Sequence, residues 1–142
     1  MKRFIILLFG VLFFSCQSDF KKLGEDDEYI YGIHTTYEYS KREDCYIFTF
    51  EQKLKSGSNA DIIKDKLIRS KNSAKFTDYS YTLMRIKYDF EHNKECMISI
   101  CDYDSKGNCI YTNASTNDHF VPVMPDDRGY AAAKELFSDS KK

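Results

Sequence analysis

Cys96–Phe137 reads CMISICDYDSKGNCIYTNASTNDHFVPVMPDDRGYAAAKELF, and its parts decide the fold class. MISICDYD and CIYTNAST are β-prone arms on either side of SKGN, so the stretch predicts a β-hairpin. A three-residue loop Ser105-Lys106-Gly107 with Gly107 left-handed would set Asp104 opposite Asn108, Tyr103 opposite Cys109 and Cys101 opposite Tyr111. Val121–Val123 predicts a short further strand. Pro125 breaks what precedes it, Asp127 is a good N-cap, and Asp126 adds negative charge beside the positive end of a helix. In that helix Tyr130, Ala133, Lys134 and Phe137 share one stripe, with Leu136 beside it. Three consecutive alanines let it lie close to a sheet, although Gly129 weakens its first turn by about 1 kcal/mol relative to alanine.

Upstream the same two periods alternate. In TLMRIKYDF, Leu83, Arg85, Lys87 and Asp89 alternate with Met84, Ile86, Tyr88 and Phe90, as in a half-exposed strand within Phe76–Phe90. Ser56–Ser73 opens with turn residues, offers Ser58 or Asn59 as a cap, and sets Ile62, Ile63 and Leu67 on one side, so it predicts a short amphipathic helix. Cys45–Gln52 carries apolar groups on both faces and predicts a central strand. Tyr29–Tyr39 alternates aromatic and polar residues and predicts a first strand. Gln17–Glu28 is polar and charged and reads as a tether. The expected fold is α+β: a single antiparallel β-sheet with a C-terminal helix packed on it and one short mid-chain helix.

The chain has 142 residues, which bounds it to one domain. Its start is different in kind. Lys2 and Arg3 precede eleven apolar residues, Phe4–Phe14, and then Ser15 and Cys16. A charged start, a short apolar run and a small residue describe a secretory signal, and the run is too short for the roughly 20 residues of a membrane span. A cysteine directly after the small residue points to lipoprotein processing at residues 1–15, with Cys16 lipidated by acyl chains such as palmitate and residues 16–28 as a lipidated tether. The alternatives are a plainly secreted protein and an uncleaved anchor. Each buried methylene contributes about 0.8 kcal/mol, so several chains hold a protein to a bilayer. Gln17, in place of an aspartate, leans towards the outer membrane.

Removing Lys2 and Arg3 leaves 19 basic residues against 22 acidic ones, a net charge of −3. That balance gives no nucleic-acid footprint. Eleven tyrosines and eleven phenylalanines with two prolines suit a β-rich domain at residues 29–142. Besides Cys16 there are Cys45, Cys96, Cys101 and Cys109. In the hairpin Cys101 and Cys109 are diagonal neighbours on one face, so a disulfide between them is possible but strained. Cys96 lies five residues before Cys101 and is expected on the opposite face. Four cysteines allow three pairings, which stay open, and some of these thiols read equally as buried and free.

No serine or cysteine sits in a nucleophile motif, and catalytic residues and cofactors are expected to be none. His92, Cys96, Cys101 and Cys109 can be imagined around zinc, but no CxxC pair is present and the segment reads as strand, so the expected metal is none. Asp102 and Asp104 share a strand face beside a turn, which would suit weak calcium binding, but turn propensity explains Asp104 as well.

Tyr103-Asp104 in the hairpin arm, Pro125-Asp126-Asp127, Tyr130, Ala132-Ala133 and Leu136 carry a family resemblance. Over about Met84–Phe137 the chain resembles the surface-adhesin protein E family of small bacterial lipoproteins. The resemblance implies an antiparallel sheet under a C-terminal helix, frequent pairing into homodimers, display at the cell surface, and binding of a host extracellular-matrix protein. The family commonly has a cysteine at the end of the last helix and another in the strand before the hairpin. Those places fall on Phe137 and Phe90 here, so a Phe90–Phe137 contact is expected to stand in for that bond. Burying both rings would contribute roughly 1.5–3 kcal/mol each, comparable with a disulfide. The expected function is a lipid-anchored outer-membrane protein acting as a non-catalytic binding module. The alternatives are a structural envelope lipoprotein without an adhesive role, and a hydrolase.

Overall fold

Aromatic and β-branched residues alternate through most of this chain, and a computed structural model, describing residues 19–57, 59–115 and 119–142, shows them as one sheet. Its strands are β1 (Phe20–Glu25), β2 (Tyr29–His34), β3 (Glu38–Ser40), β4 (Cys45–Leu54), β5 (Tyr79–Asp89), β6 (Lys94–Asp104), β7 (Cys109–Ala114) and β8 (Val121–Pro122). The helices are α1 (Ala60–Lys71) and α2 (Arg128–Asp139), with a 3₁₀ turn at Ala74–Asp78. The antiparallel order is β1-β2-β4-β5-β6-β7, with β3 on β4 and β8 on β6. The fold is therefore α+β, one antiparallel sheet with a mid-chain helix and a C-terminal helix.

The signal segment and Cys16 lie outside the described residues, as do Ser58 and Thr116. The tether expected at residues 16–28 needs correction. Phe20–Glu25 pairs with β2, and Asp26 ties the turn by accepting from the backbone N–H groups of Glu28 and Tyr29 and from the Tyr31 hydroxyl. The acids that looked like solvated linker are turn chemistry, and the domain begins by Phe20 rather than at Tyr29. Tyr29–Tyr39 is likewise two strands, β2 and β3, which pair successively with one edge of β4.

The helix side of the sheet holds the core. Ile33, Phe48, Phe50 and Tyr88 are buried there against Ala132 and Ala133 of α2. Around them Phe137 meets Tyr46 at 4.4 Å and Phe90 at 4.9 Å between ring centroids, the latter pair stacked. Asp127 caps α2 by accepting from the Tyr130 N–H at 2.8 Å, and the Tyr130 hydroxyl donates to Asn93 in the β5–β6 turn. The 3₁₀ turn lies on the same side: Phe76 is fully buried against Tyr79 and Tyr111. Phe76 therefore precedes the strand rather than opening it. Asn72 closes α1 in the left-handed region, φ 50°, its N–H bonded to the Ile68 carbonyl. Of the predicted apolar face of α1, Ile63 is buried and Ile62 is exposed.

Four bulges set the register. Leu23 is the extra residue in β1, Ser80 in β5, Ile98 in β6 and Ile110 in β7. The last puts Cys101 opposite Thr112 rather than Tyr111, while Tyr103 still faces Cys109. Cys101 and Cys109 are disulfide-bonded, with Cα atoms 6.5 Å apart. The Ile98 bulge turns Cys96 onto the same face as Cys101, against the expectation from strict alternation, because one extra residue inverts the pleat. Cys45 and Cys96 are buried thiols on that second face. Lys87, expected exposed, is buried between β4 and β6 and pairs with Glu43 at 2.7 Å.

The stacked ring of Phe137 is half-buried, so Phe137→Ala should cost about 2–3 kcal/mol, below the roughly 3–5 of a fully buried phenylalanine. Urea unfolding should show a lower midpoint with an unchanged slope.

Candidate binding cleft

Where β1 and β6 bulge, the sheet and the first turn of α2 part to leave a cleft of about 490 Å³. Leu23, Tyr31, Phe50, Met84, Ile86, Tyr88 and Met97 supply its apolar walls, and Asp127, Arg128 and Gly129 form its helical rim. Gly129 has a packing role beyond its poor helix propensity: a Cβ there would lie 3.1 Å from the Phe50 ring and from the Asp127 carboxylate. The glycine lets the helix start close to the sheet and fixes the height of the rim.

The Ile98 bulge decides what points inward. Without the extra residue Glu95 and Met97 would face away from α2. With it, they lie opposite Tyr88 and Ile86 on the helix side. Glu95 Oε2 is buried and, among the described residues, the only buried side-chain oxygen or nitrogen with no hydrogen-bond partner. Burial, followed by the negative charge of Asp127, raises the Glu95 carboxyl above its ordinary value. On the far wall the hydrogen bond to Asp26, then burial, pushes the Tyr31 hydroxyl up to about 12.

The other groups singled out in the sequence are engaged locally. His34 lies 3.1 Å from Glu51, and His92 bonds Asp89 at 2.7 Å. Cys101 and Cys109 are spent on their disulfide, so the imagined zinc set is not assembled. Among the described residues no group of three or more His, Cys, Asp or Glu side chains is placed to hold a metal ion. Asp102 is buried and accepts from Thr82, whose hydroxyl also bonds Tyr79. Asp104 locks the hairpin, accepting from Lys106 N–H, Asn108 N–H and the Asn108 side chain, and those Asn108 bonds hold its carboxyl below the ordinary range. Phe90 and Phe137 make contact at the opposite end of α2 from the cleft.

Sequence reasoning missed Glu95. It lies in a charged run, Glu91 to Glu95, that reads as a solvated turn, and only the bulge aims it inward. Compared with known proteins, the chain matches no family model, no curated protein and no solved structure at a significant level.

Glu95 gives the fold a testable pH dependence. Its folded carboxyl titrates above the unfolded one, so protonation favours the folded state. That contribution is complete below the unfolded value, about 4.3, and is lost as pH rises through the raised folded value. Asp127 and Arg128 are the charged groups facing it from α2. Glu95→Gln should therefore raise Tm near pH 7 and change it little near pH 4, measured by thermal denaturation across that range.

Proposed function

We propose that this chain is a lipid-anchored bacterial envelope protein that acts as a non-catalytic binding module. The observation that carries the binding role is the apolar cleft with an unpaired buried carboxylate oxygen inside it. Pockets of this size and lining are where small ligands and protruding side chains are held. The cleft offers one inward acid, and its neighbour Asp127 is engaged in capping α2. A hydrolytic site would need an acid–base or nucleophile–base pair in mutual reach. The anchor rests on the sequence Lys2-Arg3, Phe4–Phe14, Ser15-Cys16. Among the described residues no helix is long and apolar enough to cross a membrane.

The corrected domain boundary bears on where the module works. Only four steps along the chain separate Cys16 from Phe20, the first strand residue. A chain that short spans at most about 14 Å. A lipid on Cys16 would hold the sheet against the bilayer, with little reach. This favours a second reading, an envelope lipoprotein whose ligand is found close to its own membrane. In the first reading, implied by the adhesin E resemblance, the ligand is a host extracellular-matrix protein.

Cys16→Ala should abolish palmitate incorporation and move the protein out of the membrane fraction. Protease applied to intact cells separates the two readings. Digestion of the domain supports the surface adhesin, and protection until the outer membrane is opened contradicts it.

A further inference from the structure

The chemistry of the cleft narrows its ligand, on the reading that the cleft is a binding site. Its lining residues include four acids, Glu25, Glu51, Glu95 and Asp127, against one base, Arg128, and the strand register turns the Glu51 side chain to the other face of the sheet. Lys22 and Lys55 already pair with Glu25, and His34 lies beside Glu51, which leaves the inner pair, Glu95 and Asp127, to set the charge. Arg128 is exposed and makes no ion pair among the described residues, so none of the described residues supplies the counter-charge.

A buried carboxylate oxygen without a donor costs free energy that a ligand donor would recover. An anion such as a fatty-acid carboxylate would meet two charges of its own sign. A neutral apolar ligand would fill the space and leave Glu95 Oε2 unpaired. A cation answers both, and the aromatic ring of Tyr31 in the lining favours it further. The methionines Met84 and Met97 give the apolar floor some adaptability.

We propose that the cleft binds a small organic cation, an ammonium on an aryl or alkyl stem, with the stem against Phe50, Met84 and Met97 and the ammonium on Glu95. The ammonium donates hydrogen bonds to the carboxylate, and no covalent step is involved.

The test uses the full chain carrying Cys16→Ser, so that no lipid or detergent competes for the cleft. Three probes on one phenylpropyl skeleton differ in charge: 3-phenylpropan-1-ammonium, 3-phenylpropan-1-ol and 3-phenylpropionate. NMR of the methionine methyl groups reads the site. The ammonium should shift Met84 and Met97 and bind about tenfold or more tighter than the alcohol, with the propionate weakest. Glu95→Gln should remove that preference without lowering Tm. Arg128→Ala, which removes the one rim cation, should hold or tighten ammonium binding. Equal affinity for alcohol and ammonium would overturn the cation assignment while leaving the cleft a binding site. Unshifted methionine signals with all three probes would overturn the cleft itself, and the binding role with it.

Discussion

The packing of α2 on the rings of β4 and β5 is the interaction on which the rest depends. A single sheet cannot bury enough by itself, and α2 supplies what its aromatic face needs. Ala132 and Ala133 bring the backbone close, and Tyr130 and Phe137 close the two sides. Tyr37 stacks on Phe48 and bonds Ser140 at the helix end, which draws the β2–β3 connection into the same layer. The exposed Lys21–Glu135 pair joins the edge strand to the helix but is worth little in water. The cleft is a consequence of this seating. Gly129 sets how near the helix begins, and the helix N-terminus forms one lip.

Elements with a strong local cause were legible in the sequence. Asp127 and Pro125 announced the start of α2, Gly107 the hairpin, and the alternation of β4 its central place. The contact of Phe90 with Phe137 followed from a family resemblance rather than from pattern, since neither residue declares its partner. Elements whose cause is non-local were not legible. Phe20–Glu25 looks like linker because its apolar side chains are few, and pairing with β2 makes it a strand. Lys87 alternates as if exposed, yet Glu43 arrives from the β3–β4 turn and allows it to be buried. The four bulges have no residue signature, and each inverts the faces beyond it. That inversion hid Glu95, the most distinctive group of the cleft.

Function follows the same division. The proposed address rests on a covalent pattern in the first sixteen residues, whereas the proposed binding role rests on how strands are stacked. An acid in a charged run carries no message until a bulge sets it opposite Tyr88 on the helix side of the sheet. On the proposed anchoring at Cys16, the short span to Phe20 changes the picture of a module raised on a tether, because reach is set by chain length rather than by composition.

Native-state amide hydrogen exchange tests the central claim most directly. If α2 completes the core, the amides of Ala133–Phe137 and those of Phe48–Phe50 and Tyr88 open together in one global unfolding event, with equal opening free energies and equal denaturant dependence. If the α2 amides exchange through a separate opening of lower free energy while β4 and β5 stay protected, the sheet stands without its helix and the account is contradicted.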